Sequence, residues 1–217
     1  MKDLRAVRGA SLIHSWIAQG EHEHQDFKFA ISDARKIARS ISAFANNGGG
    51  RLLIGVKDNG AVAGVRNEED IYVVEQAAER YCRPSVHVEF KGYKVDGTLL
   101  VIVAEIEAVE ERPVMASEPD GSWRAYYRVA DENIAAHPLM VEAWRRSRTS
   151  VAFESLHGAV AAFVGGADGP LDVRDIALGL HIATGRASAA VADLVAARIL
   201  RFVYCRGEFR IAPEEEN

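Results

Sequence analysis

Residues 41–64 read ISAFANNGGGRLLIGVKDNGAVAG, and this stretch decides the fold. It begins as the end of an amphipathic helix, because apolar residues such as Ile41 and Phe44 recur at helical spacing. Two asparagines and three glycines follow, and these residue types accept the left-handed backbone that often ends a helix. Residues 52–56 are apolar at both parities, which predicts a central strand buried on both faces. The Asn-Gly pair behind this strand favours a tight hairpin turn, which leaves Asp58 at the edge of the sheet.

The sequence on either side predicts further helices and strands. A helix is expected up to about residue 18, and a strand from Gln25 onwards alternates so that Asp26 and Lys28 share its open face. Ser32 or Asp33 can cap the helix that enters the central stretch. Later helices are predicted at 67–81 and 138–148, and strands at 85–95, 99–107 and within 112–129. This order predicts an α+β fold, with a mixed sheet and flanking helices.

A second, smaller domain is predicted after residue 150, because the composition changes near residues 147–150. Helices are expected near 153–164, from Asp172 and over 187–198, followed by a hairpin over 200–211. This order of elements, two helices, a turn, a third helix and a hairpin, is typical of a winged helix-turn-helix. We therefore expect two domains, 1–148 and 151–213. Residues 151–217 contain six basic and nine acidic residues, so dimerisation or protein contact competes with base reading as the role of this module.

Composition narrows the class of protein. The 217 residues have a formal net charge of −5, so a nucleic-acid surface has to be a local patch. Cys82 and Cys205 fit neither a zinc pattern nor a disulfide framework, which is typical of a reducing compartment. The sequence contains no apolar run long enough to span a membrane and no cleavable signal near its first residue, so we expect a cytoplasmic protein.

Three acids are candidates for chemistry: Glu21, Asp26 and Asp58. Strands that are consecutive in sequence often neighbour each other, which would bring Asp26 and Asp58 together. Clustered carboxylates repel each other unless they share a proton or a cation, and oxygen ligands suit Mg²⁺ or Mn²⁺. The plainer interpretations are a solvated turn for Asp58 and a loop acid for Glu21. Lys28 either neutralises a phosphate oxygen or forms a salt bridge with Asp26.

Several spaced motifs agree in their order along the chain. They are E-x-E-x-x-D-F-K at 21–28, SAFAN at 42–46, the glycines at 48–50, LIGVKDNG at 53–60, RPV at 112–114 and YYRV at 126–129. Together they make residues 16–135 resemble the Schlafen-type AlbA-like domain. The resemblance implies binding of RNA or DNA. For ribonuclease members of the family it also implies metal-dependent cleavage of tRNA or rRNA by three acids, which correspond in this chain to Glu21, Asp26 and Asp58.

The chain departs from the family pattern in three places. The second acid is usually glutamate, whereas Asp26 is one methylene shorter; Lys57 stands where an acid is common; and Ala130-Asp131 replaces the usual Gly-Ser. Animal Schlafen cores resemble two such lobes around one substrate, so the single lobe predicts a homodimer. ATP binding is not expected, because the glycines lie between a helix and a strand and no Gly-Lys-Ser/Thr follows them.

Basic residues on predicted helices are the candidates for phosphate contacts, with a plain solvated face as the alternative. They are Arg35, Lys36, Arg39, Arg145, Arg146, Arg148 and, on the presumed recognition helix, Arg186. The leading hypothesis is a nucleic-acid-binding protein, with endoribonuclease activity that depends on Mg²⁺ or Mn²⁺ as its catalytic form. A non-catalytic DNA-binding regulator and a protein-interaction module are the two competing functions.

Overall fold

The structure is a computed structural model that describes residues 6–65, 69–147 and 152–215. These residues form two compact units. The first contains residues up to 110 together with 114–135, and the second contains 111–113 together with the chain from 136 onwards. The boundary predicted at 148–151 lies outside the described residues. Among the helices that are described, none is long and apolar enough to cross a membrane.

The first unit has an α+β fold with a mixed sheet, which confirms the predicted class. Its elements are β1 (Val7–Arg8), α1 (Ala10–Ile17), β2 (Gln25–Lys28), α2 (Ala34–Asn46), β3 (Gly50–Ile54), α3 (Glu69–Arg80), β4 (Cys82–Arg83), β5 (Val88–Val95), β6 (Leu99–Ile106), β7 (Met115–Ser117), β8 (Trp123–Val129) and β9 (Glu132–Ala135). One sheet has the order β1-β5-β6-β3-β2, in which β1–β5 and β2–β3 are parallel pairs. The other sheet is antiparallel, in the order β4-β7-β8-β9. The first helix begins later than the sequence predicts, since Val7 and Arg8 form a strand.

The central stretch folds in the predicted order of helix, glycine turn, strand and hairpin, but the strand Gly50–Ile54 begins and ends two residues earlier than predicted. Asp33 caps α2 by accepting hydrogen bonds from the backbone N–H groups of Arg35 and Lys36. The strand β3 is buried on both faces: Leu52 packs in one apolar cluster, whereas Leu53 packs in another. Beyond β3 the chain turns back on itself in the predicted hairpin, with Val56 paired to Val62.

Asn46, the last residue of α2, joins the helix to the antiparallel sheet. Its side-chain amide nitrogen donates to the carbonyl oxygens of Val114 and Tyr126, each at 2.9 Å, and its amide oxygen accepts from Val114 N–H at 2.8 Å. The side chain is fully buried. A buried amide with these bonds satisfies backbone groups of β8 and of the chain before β7, which fixes the position of α2 beside the sheet.

The second unit consists of four helices and a hairpin among its described residues. The elements are α4 (Pro138–Arg146), α5 (Ser155–Gly165), α6 (Val173–Gly179), α7 (Thr184–Ala196), β10 (Leu200–Cys205) and β11 (Glu208–Pro213). Asp172 caps α6 as predicted, and Leu171 forms an isolated bridge with Ile211 of the hairpin. The assignment of this unit as a winged helix-turn-helix stays a prediction.

Candidate functional site

Asp26 lies between two cations. Its carboxylate oxygens are 2.6 Å from Lys28 Nζ and 3.2 Å from Arg128 Nη2. The side chain of Asp26 is only 6% exposed, so the prediction that it lies on an open strand face is wrong. The physical reason is that β8 places the long side chain of Arg128 over this face. The alternative interpretation of Lys28, a salt bridge with Asp26, is confirmed.

Glu21 lies beside this cluster and is hydrogen-bonded to Asp26. Its Oε1 accepts a hydrogen bond of 2.8 Å from the backbone N–H of Phe27. Burial and the hydrogen bond to Asp26 raise the pKa of Glu21 to about 7. Burial opposes the ionisation of Asp26, but the hydrogen bond from Glu21 and the charges of Lys28 and Arg128 outweigh it and keep the pKa of Asp26 low. Below a pH of about 7, protonated Glu21 therefore donates a hydrogen bond to ionised Asp26.

Arg128 holds the cluster together. It is 1% exposed, and its guanidinium also donates to Asn133 Oδ1 at 3.0 Å and lies 5.1 Å from the centre of the Phe44 ring. Longer bonds of 3.4 Å reach the carbonyl oxygens of His22 and Gln25. In the sequence, Arg128 stands out only as part of the YYRV motif, and no role is predicted for it. The only sequence signal for such a role is an arginine beside aromatic residues in a predicted strand. This signal does not identify Asp26 as the partner, because Asp26 lies about a hundred residues earlier.

A cavity of about 640 Å³, named the Asp26 cavity, opens beside this cluster. Its lining includes Asp26, Lys28, Lys36, Arg39 and Arg128, with Ser32 and Asp33 at the N-terminus of α2 and Asp131 and Glu132 on the opposite side. Lys36 is exposed. Arg39 donates to Glu118, so the charge of Arg39 is already paired. Glu118 also accepts from the Tyr126 hydroxyl at 2.6 Å. The cavity therefore contains one buried charge cluster, one paired arginine, one exposed lysine and three exposed acids.

Asp58 does not belong to this cavity. It is exposed and lies four residues beyond the end of β3, in the hairpin turn. The strands β2 and β3 are neighbours as expected, but Asp26 pairs in register with Leu52. In the described part of the chain, no three His, Cys, Asp or Glu side chains are grouped so that they could hold a metal ion. Since the Asp26 oxygens already contact two cations, this donor set does not fit Mg²⁺ or Mn²⁺ as it is arranged.

The remaining predicted phosphate contacts are scattered. Arg35 is exposed, and its guanidinium lies 4.9 Å from the centre of the Tyr81 ring. In the second unit, Arg145 and Arg186 are exposed. Arg146 is committed to the fold, because it donates to Glu142 at 3.0 Å and to Asp193 at 2.8 Å. Arg148 lies outside the described residues.

Comparisons with known proteins give one family match. The family model described as Schlafen, AlbA_2 matches residues 21–137, more than half of the chain. No curated protein matches. Among solved structures, the DIP2311 protein from Corynebacterium diphtheriae matches with 19% identity and a TM-score of 0.46, over 71% of this chain and 33% of that protein. The N-terminal domain of an ATP-dependent DNA helicase RecG-related protein from Nitrosomonas europaea matches with 20% identity and a TM-score of 0.40, over 69% and 96% respectively.

Proposed function

Because the chain belongs to the Schlafen AlbA_2 family, we propose that it binds RNA or DNA through the Asp26 cavity. The cavity receives backbone phosphates, and Lys28, Lys36 and Arg128 supply the positive charge. The family membership supports nucleic acid as the ligand. The local charge arrangement supports this position, although the whole chain is acidic.

The charge balance of the buried cluster is the observation that carries the proposal. Asp26 contributes one negative charge, whereas Lys28 and Arg128 contribute two positive charges. When Glu21 is protonated, the cluster therefore has a net charge of +1. Lys36 adds a second positive charge in the first turn of α2, where the Asp33 carboxylate already accepts hydrogen bonds from the N-terminal backbone N–H groups. Asp131 and Glu132 also line the cavity, so we infer that a backbone phosphate binds on the side of Lys28 and Lys36.

The arrangement supports binding better than metal-dependent cleavage. The three acids that the family resemblance assigns to catalysis differ in exposure and partners. Asp26 is buried between cations, Glu21 is half-buried with its pKa raised to about 7, and Asp58 is exposed in a turn. Endoribonuclease activity with Mg²⁺ or Mn²⁺ is therefore an outcome to be tested. A DNA-binding regulator that uses the second unit is the other outcome, and Arg186 is its candidate contact.

Fluorescence anisotropy with labelled RNA hairpins, single-stranded RNA and duplex DNA tests the proposal. We expect Lys36→Gln to weaken binding to all of them and to reduce the slope of log affinity against log salt by about 0.7–0.9. Lys94→Gln is the matched control, since Lys94 is an exposed lysine on β5 that does not line the cavity. Equal effects of the two substitutions, or no binding by the unmodified chain, contradict the proposal.

The same samples separate binding from cleavage. Incubation with Mn²⁺ or with EDTA, followed by gel analysis of the RNA, is expected to leave the RNA intact in both. Cleavage in Mn²⁺ that disappears in both Asp26→Asn and Asp58→Asn would establish the metal-dependent enzyme instead. Binding that Arg186→Gln abolishes and Lys36→Gln leaves intact would transfer the function to the second unit.

A further inference from the structure

A second cavity, of about 340 Å³, lies at the other end of β2 and β3. It is named the Arg51 cavity and is lined by His24, Gly48, Gly49, Gly50, Arg51 and Glu105. Since β2 and β3 are parallel, their N-terminal ends meet on this side, whereas the Asp26 cavity follows the C-terminal end of β2. The helix α2 rises roughly 15 Å between Lys36 and Asn46, so a strand of several nucleotides can reach from one cavity to the other.

Arg51 lines this cavity, and the position of its guanidinium is fixed by three neighbouring side chains. Its guanidinium lies 4.2 Å from the centre of the Trp16 ring. Its Nε donates to Gln25 Oε1 at 2.8 Å, and its Nη2 reaches Gln19 Oε1 at 3.5 Å. These partners are neutral, and burial lowers the pKa of Arg51 while the charge of Glu105 acts in the opposite direction. A guanidinium held in one plane is a platform on which a base can stack.

Glu105 supplies a carboxylate acceptor next to this platform. It is the register partner of Arg51 on β6 and lines the same cavity. Its Oε2 accepts from Lys91 Nζ at 2.7 Å, which holds the side chain in place and leaves Oε1 and the second lone pair of Oε2 as acceptors for a ligand. A carboxylate beside the arginine makes the Arg51 cavity a poor place for a phosphate, in contrast to the Asp26 cavity.

The glycine turn and His24 form the opposite wall. His24 Nδ1 lies 2.8 Å from the carbonyl oxygen of Gly49, and because a carbonyl only accepts, Nδ1 is the nitrogen that carries hydrogen. Gly49 has a φ of +90°, and a Cβ there would lie 2.9 Å from the backbone oxygen of Ile106. The turn therefore needs glycine, and the glycines leave this wall without side chains that would fill the cavity.

We propose that the Arg51 cavity binds one unstacked guanine base of the nucleic acid held at the Asp26 cavity. The base stacks on the Arg51 guanidinium, and Glu105 accepts the hydrogen bonds of its N1–H and N2–H groups. Guanine matches because its Watson–Crick edge carries two adjacent donors, N1–H and N2–H, whereas the edges of adenine, cytosine and uracil each carry a single donor group with acceptors beside it. This inference rests on the proposed function, since it assigns a base to a nucleic acid that the other cavity retains.

Binding of short single-stranded RNAs of equal length tests the inference. Adenine-only RNA is compared with the same RNA containing a single guanine, and we expect about tenfold tighter binding of the second, because a bidentate contact discriminates by about 1–3 kcal/mol. Glu105→Gln is expected to remove this preference while retaining binding of the adenine-only RNA. Arg51→Lys keeps the positive charge but removes the planar guanidinium, so it is expected to weaken binding of both RNAs.

Glu89→Gln is the matched control. Glu89 is the register neighbour of Glu105 on β5 and also contacts Lys91, at 3.3 Å, but it does not line the cavity. The substitution Glu89→Gln removes one negative charge, as Glu105→Gln does, and is expected to leave the guanine preference unchanged. Equal binding of both RNAs by the unmodified chain, or identical behaviour of Glu89→Gln and Glu105→Gln, overturns the guanine site alone. No binding of any RNA or DNA overturns the proposed function together with it.

Discussion

Replacing Arg128 by methionine tests the buried cluster most severely. Methionine fills much of the same volume but removes the positive charge that Asp26 contacts at 3.2 Å. It also removes the N–H group that donates to Asn133 Oδ1 at 3.0 Å. Removing one partner of a buried ion pair costs about 3–5 kcal/mol, because the remaining charge is left buried. Lys28 still pairs with Asp26, so we expect the lower part of that range, about 3 kcal/mol.

Urea denaturation of the full chain gives the free energy of unfolding for this comparison. Arg124→Met is the matched control, since Arg124 is an exposed arginine on the same strand, and a change within about 0.5 kcal/mol is expected for it. Adding Asp26→Asn to Arg128→Met should cost less than the sum of the two single changes, because the orphaned charge is then gone. A cost for Arg128→Met that equals that of Arg124→Met would refute the reasoning.

Three further predictions concern pH, the second unit and assembly. The affinity for nucleic acid should fall as the pH rises through about 7, because Glu21 then ionises and cancels the net charge of the cluster; Glu21→Gln should remove this dependence in anisotropy titrations. Asp193→Asn should destabilise the second unit by about 1.5–3 kcal/mol at neutral pH, since Asp193 accepts from Arg146 at 2.8 Å and pairs with His157 at 3.2 Å. Burial opposes the ionisation of Asp193, but these hydrogen bonds outweigh it and lower the pKa of Asp193. The stability that Asp193 contributes is therefore present above its ordinary pKa and is lost as the pH falls through the lowered value. Urea titrations at several pH values that show no such loss contradict this prediction. The predicted homodimer should sediment as a dimer at micromolar concentration, and a monomer there contradicts it.

The sequence was informative where structure depends on neighbours along the chain. The cap at Asp33, the two-faced burial of Leu52 and Leu53 and the hairpin after β3 all follow from local residue types and their spacing. The pairing of β2 with β3 was also expected, because strands that are consecutive in sequence often neighbour each other. The predicted ends of helices were less accurate, since Val7 and Arg8 form a strand where a helix was predicted.

The candidate site depended on contacts that spacing does not encode. Asp26 alternates with apolar residues as an exposed strand residue does, yet Arg128 from a distant strand covers it. The backbone preference of Asn46 places it at the end of α2, but its side chain also bridges to Val114 and Tyr126. In both cases the deciding partner is remote in sequence, so local periodicity gave no signal for it.

The affinity of Asp26→Asn for RNA in the presence of EDTA tests the central claim most directly. If Asp26 balances charge beside a phosphate site, removing its negative charge should release Lys28 and strengthen binding severalfold at fixed salt, with circular dichroism confirming that the variant is folded. The pH dependence of binding should shift to lower pH, because burial still raises the pKa of Glu21 but the charge of Asp26 no longer does. Weaker binding by a folded Asp26→Asn, or binding by the unmodified chain that EDTA abolishes, would contradict a metal-free phosphate site at the Asp26 cavity.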